Sequence, residues 1–332
     1  MKRSWSPMSN ATKTPATGTA LLEVKDLVVH FPIGQGQFIR PVDRVSFSIG
    51  PGEVLSLVGE SGSGKSTIGK ALVRMIEPAG GSIIVGGRDV THIRGREIKE
   101  YRKEAQMVFQ DPFGSLNPTR SIEQHLAFPV RKYRANKGVS VSEQIDELLT
   151  KVGLTPVAET RRKFPHELSG GQRQRVAIAR ALAVNPKFIV ADEPISMLDV
   201  SIRAGVLKLM NDLRNDLNLA FLYITHDLAS ARYIGNRIMV LYGGKVMETA
   251  PSAELIKAPT HPYTRLLLTA TPGTRHRGPL PETSNSAPNL LEGRKGCPFA
   301  NRCPLVTDVC RNEEPPLREL SSGHAVACHH PA

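Results

Sequence analysis

The chain has 332 residues, 40% of them hydrophobic, and its 43 Lys and Arg against 31 Asp and Glu give a formal net charge of +12. That length is enough for one large domain plus an appendage. No run approaches the roughly 18 consecutive apolar residues of a membrane helix, and the basic residues are spread too evenly along the chain to build a dedicated nucleic-acid groove.

Residues 1–20, MKRSWSPMSNATKTPATGTA, carry charge without an apolar core and read as a disordered polar tail rather than a secretory signal. The chain is therefore expected in the cytosol, where thiols stay reduced. LLEVKDLVVHF and RVSFSI alternate as strands do, and Pro51-Gly52 turns the chain into the apolar strand VLSLV (54–58). That strand runs into Gly59-x-x-x-x-Gly64-Lys65-Ser66, a phosphate-binding loop pattern. Gly59, Gly62 and Gly64 let successive backbone N–H groups turn inward toward phosphate oxygens. A helix starting near Lys65 adds the positive end of its dipole, Lys65 reaches the β- and γ-phosphates, and the Ser66 hydroxyl can ligate magnesium. Ile68, Leu72, Met75 and Ile76 predict that helix as far as Pro78.

Helical patterns fill residues from about 111 to 180. Within them LSGGQRQRVAIARAL (168–182) sets a hydroxyl, Ser169, and the bare N–H groups of Gly170 and Gly171 at a helix start, a second anion site. One chain does not easily bring two such sites to one γ-phosphate, so a dimer is expected, each chain capping its partner's nucleotide. FIVADE (188–193) reads as a strand ending in two carboxylates, with Asp192 placed as a magnesium ligand and Glu193 to polarise a water. Ile202, Val206, Leu209, Leu213 and Leu217 form one helix face, AFLYI a strand that delivers His226, and RIMVLYGGKVME a hairpin turning at Gly243-Gly244.

Taken together, these segments resemble the nucleotide-binding subunit of ABC transporters. GESGSGKS corresponds to that family's phosphate loop, LSGGQ to its signature and VADEP to its Walker B strand. Gln110 in QDPFGSLNP falls at the Q-loop, Ser196-Met197-Leu198-Asp199 at the D-loop, His226 in ITHD at the switch histidine, and Phe31 where an aromatic ring stacks on adenine. The resemblance implies an α/β fold over residues 21–268: an ABC-type P-loop NTPase with a RecA-like parallel-sheet core, an antiparallel β subdomain and a helical subdomain. It implies an ATPase using ATP and Mg2+, the nucleotide held by Gly59, Ser61, Gly62, Gly64, Lys65, Ser66 and Thr67. Ser66, Gln110 and Asp192 would serve the metal, Glu193 would be the general base and His226 would contact the γ-phosphate. Ser169, Gly170, Gly171, Gln172 and Asp199 would complete the site of a second ATPase chain.

HPYTRLLLTATP (261–272), a Pro/Ser/Gly-rich linker over 269–295, and GCPFANRCP with CRNEEPPLREL in a 296–332 extension resemble the oligopeptide/dipeptide importer branch. That implies two membrane permease subunits, a second and different ATPase chain, an extracytoplasmic substrate-binding protein, and a place on the cytoplasmic face of the inner membrane. Oligosaccharide or nickel remains open as the ligand. DNA-repair and translation ATPases share the signature, but they insert long coiled coils or zinc modules, or carry two cassettes.

All four cysteines, Cys297, Cys303, Cys310 and Cys328, fall in the extension at spacing C-x5-C-x6-C-x17-C. A cytosolic chain disfavours disulfides. Close C-x2-C knuckles of the usual zinc kind are missing, and four thiolates on longer loops suit a 4Fe–4S cluster. The branch resemblance points the same way. Zn2+ stays open because His324, His329 and His330 are at hand. The extension is expected to anchor against a subunit interface, its loss affecting assembly more than hydrolysis.

Overall fold

The computed structural model describes residues 20–34, 36–133, 138–269 and 288–331. Residues 1–19 of the expected polar tail and 270–287 of the expected linker lie outside them. The strands are β1 (Leu22–Gly34), β2 (Gln37–Ile49), β3 (Val54–Val58), β4 (Gly80–Val85), β5 (Arg88–Asp89), β6 (Ala105–Val108), β7 (Phe188–Asp192), β8 (Ala220–Thr225), β9 (Arg237–Tyr242), β10 (Lys245–Pro251), β11 (Arg318–Ser321) and β12 (His324–Val326). They build two sheets, β2-β1-β4-β5 and β11-β12-β10-β9-β3-β8-β7-β6.

The first sheet is antiparallel throughout. In the second, β9, β3, β8, β7 and β6 run parallel. All five residues of β3 and all five of β7 are buried, as apolar runs in a parallel sheet covered on both faces should be. β3 lies centrally, with β8 and β9 as its neighbours, so the loop leaving Val58 emerges beside the ends of the adjacent strands. That is where ligands bind in open α/β sheets.

Helices Pro112–Ser115, Ile122–Tyr133, Val141–Lys151, Val157–Arg162 and Gly170–Leu182 fill the region expected to be helical. Their apolar faces, Leu126, Ile145, Leu148 and Val176 among them, join one core with Ile189 and Phe221 of the sheet. Ser140 starts its helix with a capping box, its hydroxyl accepting from the Glu143 N–H and the Glu143 carboxylate from the Ser140 N–H.

Two sequence expectations need correction. The helix after the phosphate loop is Lys65–Leu72, and Met75 is exposed rather than on its buried face. Arg74 has left-handed backbone (φ 55°), and its buried guanidinium donates to the Ile76 and Ile93 carbonyls, which ends the helix before Pro78. In helix Val200–Leu217, Val206, Leu209 and Leu213 are buried, but Leu217 in the last turn is exposed. The β9–β10 hairpin turns at Gly243 and Gly244, both with positive φ, as expected.

Candidate nucleotide site

The phosphate loop is held in shape by its own lysine. Lys65 Nζ donates to the carbonyls of Gly59 and Glu60, each at 2.7 Å. Burial pushes the Lys65 ammonium below its ordinary pKa, while Glu193, Asp192 and Glu60 pull it back up. Gly64 precedes the helix with φ 103°, and a side chain there would collide with the Pro41 carbonyl from β2. Thus the antiparallel sheet packs directly on the loop. Ser61 and Gly62 are exposed, and Thr67 is half-buried one position after Ser66.

The end of β7 closes the other side. Ser66 Oγ donates to Asp192 Oδ1 at 2.9 Å across 126 residues of sequence. Burial raises the Asp192 pKa, the Ser66 hydrogen bond opposes it and the neighbouring Glu193 charge adds to it. Glu193 stands one residue on with left-handed backbone, φ 44°, its N–H fixed by the Ile224 carbonyl of β8 at 2.9 Å. Its Oε2 accepts from Gln110 Nε2 at 3.1 Å and lies 3.2 Å from His226 Nδ1. Lys65, Ser66, Asp192, Glu193, Gln110 and His226 are therefore brought together, as the sequence reading expected. The paired oxygens of Ser66 and Asp192 are the hard donors that Mg2+ prefers; Gln110 turns its amide to Glu193 instead.

The signature residues stand apart from this group. Ser169 caps helix Gly170–Leu182, its hydroxyl accepting from the Gln172 N–H at 3.3 Å while Gln172 Oε1 accepts from the Ser169 N–H at 3.0 Å. Gly171 has a packing role the sequence did not reveal: a Cβ there would strike Ile202 of helix Val200–Leu217. Asp199 begins that helix, its carbonyl accepting from the Ile202 and Arg203 N–H groups, and Met197 and Val200 beside it are exposed. Phe31 lies on β1 opposite Ile39 and is 37% exposed.

Two residues in contact with the loop, Tyr263 and Arg302, were missed from sequence. The Glu60 N–H donates to the buried Tyr263 hydroxyl at 3.0 Å, and its carboxylate takes both terminal nitrogens of Arg302, at 2.7 and 3.0 Å. Nothing local marks a pair 242 residues apart.

The extension packs on its own cassette. β12 pairs with β10, and buried His324 lies 2.8 Å from Glu248 and 3.1 Å from Glu254. The described end of the expected linker is bound too: Arg40 N–H donates to the Leu290 carbonyl at 2.7 Å and its guanidinium pairs with Glu292. The four cysteines are free thiols and line one small pocket with His261, Phe299 and His330. Burial, then its three companion thiols, push Cys297 up to about 12. Among the described residues no group of three or more His, Cys, Asp or Glu side chains is placed to hold a metal ion.

A central strand entering a lysine-bearing phosphate loop, closed by a carboxylate pair at the end of β7, defines a phosphate-loop ATPase cassette. Residues 42–196 match the family description "ABC transporter", and residues 247–310 match "Oligopeptide/dipeptide transporter, C-terminal region". The chain is 42% identical over 327 residues to the oligopeptide transport ATP-binding protein AppF of Bacillus subtilis (strain 168), covering 95% of this chain and 99% of that one. It is 43% identical to a probable peptide ABC transporter ATP-binding protein, y4tS, of Sinorhizobium fredii, covering 93% and 90%. Among solved structures, the ATP-binding cassette MJ0796, dimeric in a post-hydrolysis state with ADP and Pi, matches with a TM-score of 0.61 at 30% identity, over 70% of this chain and 98% of that one. CbiO1 of Clostridium perfringens, part of an ABC transporter complex, gives 0.63 at 26% identity over 72% and 91%. The chain belongs to the ATP-binding proteins of ABC transporters, in the group that carries the oligopeptide/dipeptide C-terminal region.

Proposed function

We propose that this chain hydrolyses ATP to drive import of oligopeptides or dipeptides, docked on two membrane permease subunits and paired with a second, different ATPase chain. Among the described residues no helix is long and apolar enough to cross a membrane, so the permeases supply the path and the chain sits peripherally on the cytoplasmic face of the inner membrane. An extracytoplasmic binding protein delivers the peptide. The peptide assignment is supported by the match of residues 247–310 and by relatives named for peptide transport.

The observation that carries hydrolysis is the meeting of Gln110 and His226 on one oxygen of Glu193, beside the Ser66–Asp192 pair. The phosphate loop from Gly59 to Thr67 binds the triphosphate through backbone N–H groups and Lys65, which leaves the loop carbonyls for phosphate oxygens. Phe31 stacks on the adenine. Ser66, Asp192 and Gln110 would hold a magnesium ion, which would offset the phosphate charge. Glu193 takes a proton from the attacking water, whose oxygen bonds to the γ-phosphorus as the bond to the β–γ bridging oxygen breaks. His226 contacts the γ-phosphate, and Ser169, Gly170, Gly171, Gln172 and Asp199 serve the partner chain's nucleotide.

For the extension, the reading is a 4Fe–4S cluster held by Cys297, Cys303, Cys310 and Cys328. Four free thiols lining one pocket supply the donor set that such a cluster takes. Such a group would fix the loops from which they come. Anaerobically purified protein should absorb broadly near ~400 nm with about four irons per chain; colourless protein with one zinc would replace the cluster by zinc.

The test of function is uptake in proteoliposomes holding this chain with its permeases, partner ATPase and binding protein. Labelled peptide should enter only with ATP, and Lys65→Ala should stop it. Uptake of oligosaccharide or nickel, with peptide excluded, would overturn the peptide reading.

A further inference from the structure

Glu60 is the one carboxylate inside the phosphate loop, between Gly59 and Ser61. A negative charge there opposes a bound triphosphate, yet the loop carries it under tight restraint. Its N–H is held by the Tyr263 hydroxyl, its carbonyl receives Lys65 Nζ, and its carboxylate is clasped by both terminal nitrogens of Arg302. Tyr263 is fully buried. The Arg302 side chain is 12% exposed, its guanidinium 5.7 Å from the centre of the Tyr242 ring and 5.9 Å from that of Phe299. Phe299 and Arg302 both come from the short turn between Cys297 and Cys303. The planar fork of arginine meets the carboxylate in two parallel charge-assisted bonds, a geometry a lysine cannot supply.

We propose that Arg302 is a positioning residue for ATP binding: from the cysteine-bearing extension it neutralises Glu60 and holds the phosphate loop in its binding shape. This deepens the reading of residues 59–67 as the ATP site and rests on it. Its consequence is that the state of the thiol pocket reaches the nucleotide. Whatever fixes Cys297 and Cys303 also fixes the turn that presents Arg302, so the extension sets ATP affinity as well as completing the sheet. Removing Arg302 leaves an unpaired carboxylate beside the triphosphate; removing both charges leaves neither the clasp nor the repulsion.

The test is a titration of the full-length chain with a fluorescent ATP analogue, with melting curves in the absence of nucleotide to confirm folding. Arg302→Ala should weaken binding about ten-fold, and Arg302→Lys by less. Arg302→Ala combined with Glu60→Gln should return affinity to within about three-fold of the native chain, because the repulsive charge has gone. Lys65→Ala runs alongside as the control on the site itself. If Lys65→Ala loses binding while a folded Arg302→Ala chain binds within about two-fold of native, Arg302 only fastens the extension and the proposal fails. It also fails if the double variant binds as weakly as Arg302→Ala, since the effect would not pass through Glu60. Native binding by Lys65→Ala would remove the site reading, and the proposed role of Arg302 with it.

Discussion

Around Asp192 the chain has its chemistry already in contact: Ser66 donates to Asp192 at 2.9 Å, and Gln110 and His226 reach Glu193 at 3.1 and 3.2 Å. Around Ser169 the same chain has closed a helix start on itself, Ser169 and Gln172 satisfying each other's backbone. The capping box uses the Ser169 oxygen as an acceptor but leaves its proton free to donate, and the residue is exposed. One half is thus assembled within the chain and the other is presented outward with a hydroxyl proton to donate. The difference teaches that chemistry and closure are separable here, and that each can be broken without the other.

The largest effect should come from the assembled half. Glu193→Gln keeps the loop, Lys65 and Asp192 but removes the proposed general base, so turnover in the complete transporter should fall by about two orders of magnitude or more while ATP affinity is kept. Phosphate release beside nucleotide titration reads both; native turnover would strip Glu193 of its role. Next comes the outward half. Ser169→Arg should cut turnover of the transporter by roughly ten-fold or more and leave ATP affinity of the isolated chain unchanged. A matching loss of affinity in the isolated chain would merge the two halves into one. The smallest of the three is Gly64→Ala, which sets a side chain at φ 103° against the Pro41 carbonyl. It should cost about 2 kcal/mol of stability, seen as a lower melting temperature, with weaker ATP binding. An unshifted melting curve would mean that the loop relaxes freely away from the antiparallel sheet.

The assembled half was legible in sequence because each of its parts is local. An apolar strand, a glycine pattern and a lysine sit within fourteen residues, and a second apolar strand ends in Asp192-Glu193. A parallel sheet with β3 at its centre then brings the strand ends together without further instruction. The signature helix start was legible for the same reason, since its capping box is written in four consecutive residues. What remained hidden depends on contacts between distant segments. Gly171 was read for its bare N–H, whereas its packing against Ile202 needs the second helix in place. Arg74 looked like part of a helix until its guanidinium found the Ile93 carbonyl. Arg302, read as a residue between two cysteines, turned out to grip the phosphate loop. Loss of the extension should therefore reach nucleotide binding, and not assembly alone.

The pairing of β12 with β10 has a consequence for the molecule in a crowded cell. Without the extension the large sheet would end at β10, seven residues long, with Val246, Met247 and Ala250 among its buried side chains. A free strand of that kind offers an open row of N–H and C=O groups to any neighbouring chain and is a template for aggregation. With the extension in place the sheet ends instead at β11, four residues including Arg318 and Glu319, all exposed. A short, charged border recruits no further strand. The tail thereby shields that edge of the sheet from chance partners.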